Sequence, residues 1–377
     1  MPNIAVIVGT RPNFIKHYAF QRACLQKNVP FVTIHTGQHF DQAMSDDLFK
    51  ELDLAAPEYS HVLNRTNLET DLDRQVTFIE HALSMENPDV TVVYGDVTSS
   101  MAGAIASDRL SIPVAHIEAG VHTESLDNPE EKNRRFVEKT AHTLFPHTRH
   151  AQHTLLAAGY PEESVFLVGD IMKDTLLGIS ERHNIFGEKG DYLLVTVHRA
   201  ENTDSGTRLG AICEALIECE RSIIFPVHPR TRAALLRTGY WQRLKKCPSI
   251  TLLPPQGYVK SLRLIAGADK VISESGGRRR EAYVLGKPVI SLIELNWVPE
   301  MVDAGWEWIA GADKKKINEG IVTFNPPPQQ DDTFGDGKAS NRIVSILSNR
   351  YGLTGGQNHP IVSKRLLAGM GVQAPSN

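Results

Sequence analysis

From Asn3 onward, short runs rich in Val and Ile alternate with amphipathic or polar stretches of helical length, and nothing else in the chain restricts its fold as tightly. Repeated βα units of this kind assemble a parallel sheet covered on both faces, which explains why the runs are almost continuously apolar. The pattern predicts strands at Ile4–Val8, Phe31–His35, Val90–Tyr94, Val114–Ile117 and Val165–Val168. A polar stretch from Asn184 to Gly190, rich in glycine, then precedes a second series at Tyr192–Val197, Ile223–Val227, Ile250–Leu253, Val271–Ser273 and Val289–Leu292. The expected class is α/β, with two doubly wound domains facing each other across a cleft.

At 377 residues the chain exceeds the size at which one core usually stops growing, so two domains are the natural division. The expected domains are 1–183, carrying the carboxylate motifs, and 191–350, with 184–190 as linker. A tail, 351–377, either packs back on the first domain or stays loose. After about Ile309 the pattern loosens. Lys314–Lys316 and the proline-rich stretch from Pro326 read as solvated loop, before helical character returns at Ser340–Asn349. A net charge of -4 and a pI near 6.4 give no global basic field, which argues against nucleic acid and anionic membranes as partners. Cys24, Cys213, Cys219 and Cys247 form no CxxC pair or zinc spacing and read as reduced thiols in the cytosol. There is no basic leader, and no apolar run approaches the ~20 residues that span a bilayer.

Open α/β sheets hold ligands at the carboxyl ends of their strands, and several polar islands sit there. In Gly9-Thr10-Arg11-Pro12-Asn13-Phe14-Ile15-Lys16 the glycine permits a tight turn and Pro12 suits a helix start. Arg11 and Lys16 either serve an anion at that helix N-terminus or are surface cations of an ordinary turn. Asp96 follows a strong strand and either points into the cleft or caps the next helix. Glu118 ends an apolar run with no helix pattern to cap, which favours a functional carboxylate. Glu130 and Arg134, four apart, share a helix face, although first-turn acids are also explained by the macrodipole.

In the second half, His198 and His228 each close a strand, which sets two imidazoles along one sheet edge beside Arg199. No HExxH or spaced Cys/His/Asp set accompanies them, so no metal is expected. Ser275-Gly276-Gly277 ends a strand and opens a helix, where small residues let backbone approach a pyrophosphate; Glu281, about a turn on, could accept from ribose hydroxyls. A charged, solvated helix face accounts for Arg278, Arg279 and Arg280 better than for the Ser-Gly-Gly.

Taken in order, GTRPNFIK, TGQHFD, YGDVTSS, HIEAG, PEEKNRR, TVHRAEN, PVHPRT and SESGGRRREA resemble the non-hydrolysing UDP-N-acetylglucosamine 2-epimerase family, over about Asn3 to Asn349. The resemblance implies two Rossmann-like domains in the GT-B arrangement, a homodimer, a UDP-sugar substrate, no metal and no redox cofactor. It also implies removal of the proton at carbon 2 with expulsion of UDP from carbon 1, then re-addition after protonation of the opposite face. Asp96, Glu118 and Glu130 match the family's catalytic carboxylates and His198 its catalytic histidine; Arg11, Lys16 and Arg134 match its cations, and Ser275, Gly276, Gly277 and Glu281 its UDP cradle.

The chain also departs from the family pattern. Arg279 and Arg280 replace the usual residues before Glu281, where extra positive charge would favour a more acidic sugar nucleotide. His122 stands where the family commonly has Arg, and Glu294 to Glu300 replaces a segment that usually supplies a Thr and an Arg. Control by a second substrate molecule near Gln38-His39 is not to be assumed. The alternatives are a hydrolysing 2-epimerase, a 2-epimerase of a UDP-diacetamido uronic acid, a glycosyltransferase of the same fold, and a sensor without turnover.

Overall fold

A computed structural model describes residues 4–38, 48–61, 68–122, 128–186, 190–294 and 298–353. It contains two compact units: one formed by the chain up to Thr175 together with the segment from Phe334 onward, the other by Leu176–Thr333.

The first unit is built on a six-stranded sheet in the order β3-β2-β1-β4-β5-β6, with β1 Ile4–Val8, β2 Phe31–His35, β3 Tyr59–Ser60, β4 Val90–Tyr94, β5 Val114–Ala119 and β6 Thr143–Pro146. Every strand pair is parallel, and Ile4 stands opposite both Phe31 and Val90. The chain winds outward from β1 in one direction and from β4 in the other, so β1 and β4 flank the point where the strand order reverses. All five residues of β1 and of β4 are buried, as apolar strands covered on both faces must be.

The second unit repeats the plan in the order β12-β11-β10-β7-β8-β9, with β7 Leu193–Thr196, β8 Ile223–Pro226, β9 Ile250–Leu253, β10 Lys270–Ser273, β11 Val289–Ser291 and β12 Glu307–Ile309. Its reversal lies between β7 and β10, and its own core gathers Leu193, Val195, Phe225, Ile272 and Ile290. Each unit is therefore a Rossmann-like doubly wound sheet, as expected.

The boundaries differ from the expected ones. The division falls at Thr175 and Phe334 rather than at 184–190 and 350. The helix Ala339–Tyr351 belongs to the first unit because both its ends are tied there. Asp174 accepts from the backbone N–H of Ser340 at 2.7 Å, and Tyr351 shares a 2.8 Å hydroxyl bond with Thr143. The tail from 354 lies outside the described residues.

Two local expectations are corrected, and two short strands are added. Val165–Val168 is not a strand, only an isolated bridge from Val165 to Leu144; the edge strand is Thr143–Pro146, whose terminal proline is tolerated at an edge. Strands β3 and β12 are too short to show a period. Lys314–Lys316 is the first turn of a helix, Lys314–Thr323, capped by the Asp313 carboxylate, which accepts from Lys316 N–H at 3.0 Å.

Candidate active site

The turn after β1 is locked by a residue that sequence reading passed over. The Asn13 side-chain oxygen, buried in the first turn of the helix Arg11–Gln26, accepts from Gly9 N–H and Thr10 N–H, both at 3.2 Å. Its amide reaches the Tyr94 carbonyl at 3.4 Å, which ties the β1 turn to the end of β4. A Cβ at Gly9 would collide with the Ser99 and Thr36 hydroxyls, so only glycine lets the strand end pass this close. Arg11 opens the helix and is half-buried, whereas Lys16, one turn further, is buried.

Lys16 pairs with Glu118, their side chains retaining 6% and 12% exposure. Arg134 pairs with the Asp96 carboxylate through one guanidinium nitrogen and donates from the other to the Glu118 backbone carbonyl at 2.8 Å. Asn133 donates to the Asp96 carbonyl at 2.9 Å. One helix, Pro129–Thr140, thus binds the ends of β4 and β5 together. Gly95 sits between them at φ +61, and a Cβ there would come within 3.3 Å of Lys16 Nζ. The positive φ favours glycine here, and the Lys16 ammonium leaves little room for a side chain.

Glu118 itself has φ 71, a left-handed conformation unusual for a carboxylate side chain, and the β5–β6 register shifts between Ile117 and Ala119. A bulge at this point turns the Glu118 side chain towards Lys16. Asp96 does not cap the helix Thr98–Arg109, whose N-cap is Val97. Burial opposes ionisation of Asp96, but the charges of Arg134 and Lys16 outweigh it and hold its pKa below the ordinary value. His116, buried on β5 and bonded to the Gly95 carbonyl at 2.7 Å, is pushed down to about 4 by burial.

Glu130 is not brought into this group: it is exposed in the first helical turn, with its N–H donated to the Asn128 cap at 3.0 Å. Its neighbour Glu131 and, two turns on, Glu138 are the buried acids of that helix. Sequence reading missed both, although their seven-residue spacing sets them on one helical face.

In the second unit the loop after β7 is organised by Glu274, a fully buried carboxylate at the end of β10. It accepts from the backbone N–H groups of His198 and Arg199 and from the Asn202 amide. Sequence reading passed over Glu274 while citing the Ser-Gly-Gly beside it. Burial first, then the charges of His228, Arg199 and Arg278, lower the His198 pKa to about 4, so the ring is neutral at physiological pH. His198 and His228 do lie together, with ring centroids 5.6 Å apart. His228 is exposed and caps the helix Pro229–Thr238, accepting from Arg230 N–H at 3.2 Å.

Ser275 caps the helix Gly276–Val284, and a Cβ on Gly276 would meet no protein atom within 4 Å. Glu281, buried, is held by Arg278 at 2.8 Å. Arg279 corrects two expectations. It is 2% exposed, paired with Glu307 of β12 and 3.2 Å from the Ser291 hydroxyl, so it belongs neither to a solvated face nor to a positively charged ligand surface. Of the divergent segment, residues 295–297 lie outside the described residues; Glu294 pairs with Arg208. Among the described residues no cluster of His, Cys, Asp and Glu could hold a metal ion, and no helix is long and apolar enough to cross a membrane.

Fold and strand-end groups together define a class: a doubly wound α/β protein with charge-paired acids on one unit and a glycine-opened helix on the other. A family model described as UDP-N-acetylglucosamine 2-epimerase matches residues 22–348. A UDP-N-acetylglucosamine 2-epimerase homolog from Methanococcus maripaludis is 38% identical over 92% of this chain and 99% of its own length. The UDP-2,3-diacetamido-2,3-dideoxy-D-glucuronate 2-epimerase of Pseudomonas aeruginosa is 34% identical over the same shares, 92% and 99%. The crystal structure of the Methanocaldococcus jannaschii UDP-GlcNAc 2-epimerase, in complex with UDP-GlcNAc and UDP, superposes with a TM-score of 0.83 at 34% identity, covering 92% of this chain and 99% of that one. The chain belongs to the UDP-N-acetylglucosamine 2-epimerase family, a family of isomerases.

Proposed function

We propose that the protein is a non-hydrolysing 2-epimerase of a UDP-2-acetamido sugar, UDP-N-acetylglucosamine in the first instance. The observation that carries this reading is the pair of partly buried carboxylate–cation contacts, Asp96–Arg134 and Glu118–Lys16, at adjacent strand ends. A carboxylate held ionised can take the proton from carbon 2. The electron pair of that C–H bond forms the C1=C2 double bond as the C1–O bond breaks and its electrons leave with UDP. Protonation of carbon 2 from the opposite face and return of UDP to carbon 1 then give the epimer, with nothing gained or lost. Proton transfer by a positioned group contributes on the order of 10²–10⁴ in rate.

Asp96 and Glu118 take the acid/base roles, joined by Glu130 when it turns to the substrate. Arg11, Lys16 and Arg134 stabilise the departing diphosphate. On the second unit, Ser275, Gly276 and Gly277 receive the diphosphate at the helix N-terminus and Glu281 accepts from the ribose. The open space beside Gly276 supports this, because the chain's own packing does not require a glycine there. His198, being neutral, donates one N–H rather than a full charge, with Arg199 and His228 beside it. We further propose a cytoplasmic homodimer; the four thiols are free cysteines, as in a reducing compartment.

Incubation with UDP-sugars in heavy water, followed by NMR at carbon 2, tests the reading. Deuterium uptake with retained UDP-sugar supports it, and its absence with every UDP-2-acetamido sugar overturns it. UDP released in step with turnover would establish the hydrolysing alternative instead. The diacetamido uronate substrate is kept as a second reading because identity to the Pseudomonas aeruginosa enzyme, 34%, equals that to the Methanocaldococcus jannaschii one, 34%.

A further inference from the structure

Glu131 and Glu138 lie on one face of the helix Pro129–Thr140, and each keeps only 1% of its side-chain surface exposed. His122, just past the end of β5, fills the space between them. Its Nδ1 stands 2.9 Å from Glu131 Oε1 and its Nε2 stands 2.9 Å from Glu138 Oε2. A neutral imidazole carries one N–H and one lone pair, so only an imidazolium donates to both acids. The Nδ1 contact is a hydrogen bond and the Nε2 contact lies within ion-pair distance of the second acid; a protonated ring suits both.

Other charges around this cluster do not remove that preference. Arg135 donates to Glu131 at 2.6 Å from an exposed position, and Gly120 N–H donates to Glu138 at 2.7 Å. His116 on β5 feels both Glu138 and Arg134, and Tyr160 feels Glu138 and Arg135. Burial pulls the His122 pKa down, but the hydrogen bonds and charges of Glu138 and Glu131 more than reverse this and leave it raised.

The same helix grips the end of β5 at alternate residues. Arg134 holds the Glu118 carbonyl, Glu138 holds the Gly120 amide, and Glu131 with Glu138 holds His122. Glu118 sits in a left-handed conformation that persists only where its surroundings impose it. We propose that His122, as an imidazolium clamped between Glu131 and Glu138, is a positioning residue that keeps the Glu118 carboxylate aimed for proton transfer. This rests on the reading of Glu118 as an acid/base group. Loss of the ring proton leaves one buried carboxylate facing a lone pair, and the strand end is released. Because the pKa of His122 in the fold is raised, the clamp is intact below the ordinary imidazole value of about 6.5 and opens as pH rises through the raised one.

The test compares wild type, His122→Arg and His122→Gln from about pH 6 to about pH 9, spanning the imidazole range. Two quantities are measured: kcat and KM for the UDP-sugar, and the hydrogen-exchange protection of the Gly120 amide. Wild type should lose kcat on the order of tenfold across the range at constant KM, because misplacing a reacting group affects the chemical step. The permanently charged arginine variant should hold its kcat to high pH, and the glutamine variant should be low throughout. Gly120 protection should fall with pH in wild type and stay level in His122→Arg. An alkaline loss shared equally by wild type and His122→Arg overturns the proposal, as does a Gly120 protection factor independent of pH in wild type. Should wild type be inert towards every UDP-sugar, the reading of Glu118 fails, and Gly120 protection then decides the clamp alone.

Discussion

Glu274→Gln is the most exacting perturbation the second unit offers, because it keeps the shape of a fully buried side chain and changes only its hydrogen-bonding character. One carboxylate oxygen accepts from the His198 and Arg199 amides and the other from Asn202 Nδ2. In glutamine one of these acceptors becomes an NH₂ donor, so either the two backbone amides or the Asn202 amide would face another donor. A hydrogen bond to a charged group contributes about 1.5–3 kcal/mol and one between neutral groups about 0.5–1.5, while a buried group left unsatisfied costs about 1–3. Weakening the surviving contacts and orphaning at least one donor should together destabilise the unit by about 2–4 kcal/mol. For a domain of this size each kcal/mol lowers Tm by about 2–4 °C, so a drop on the order of 5–15 °C is expected by calorimetry. UDP affinity, read by isothermal titration, should weaken as the His198-Arg199 loop loses its anchor. A variant that melts within about 1 °C of wild type and binds UDP equally well would refute the role assigned to Glu274.

Lys16→Met should abolish carbon-2 deuterium exchange and, by leaving Glu118 buried without its cation, lower stability by about 3–5 kcal/mol in urea unfolding; unchanged exchange would contradict the pairing. Glu307→Gln should cost a similar amount by stranding Arg279, whereas replacing both partners by apolar residues should recover much of it, a double-mutant cycle that fails if the two single changes simply add. His17 is held down to about 3, and His116 and His198 to about 4, each chiefly by burial. A histidine with a depressed folded pKa binds its proton in the unfolded chain first, so these three rings should make stability fall steadily from about pH 6.5 towards about pH 4. A urea midpoint that is constant over that window would contradict the burial of these rings.

Much of the architecture was legible because parallel strands covered on both faces write themselves as unbroken apolar runs. Ile4–Val8, Phe31–His35 and Val90–Tyr94 are found with the expected ends. What failed was of two physical kinds. Edge strands such as Thr143–Pro146 and Glu307–Ile309 are short and include polar residues or proline, and the hydrogen bonds that define them come from partners distant in sequence. The helix Ala339–Tyr351 was placed in the wrong neighbourhood because its tie to Asp174 is a tertiary contact with no local trace. The strand-end positions of Asp96, Glu118 and His198 were legible from the sequence. The residues that brace them were not. Asn13, Glu131, Glu138 and Glu274 look like any polar residue of a helix start or loop, and only burial distinguishes them.

Burial of those braces also bears on what the site can recognise. A run of three arginines before Glu281 suggests surplus positive charge, yet Arg278 is held by Glu281 and Arg279 by Glu307. In the first unit Arg134 and Lys16 are likewise matched to Asp96 and Glu118. Cations matched in this way carry less surplus charge, so on the proposed reading a diphosphate leans as well on the Ser275-Gly276 helix terminus, whose aligned peptides present roughly half a positive charge. Neither Arg278 nor Arg279 therefore offers surplus charge to a carboxylate on the sugar. The first unit's carboxylates gain from the same matching, since an acid whose counter-ion is fixed in place stays ionised and aimed without reorganising during the reaction. His198, kept neutral, cannot substitute for them as a full charge. On the proposed reading, proton movement at carbon 2 falls to the carboxylates at the ends of β4 and β5, and turnover should depend on the conformation of Glu118, whose carbonyl is held by Arg134 of the helix Pro129–Thr140.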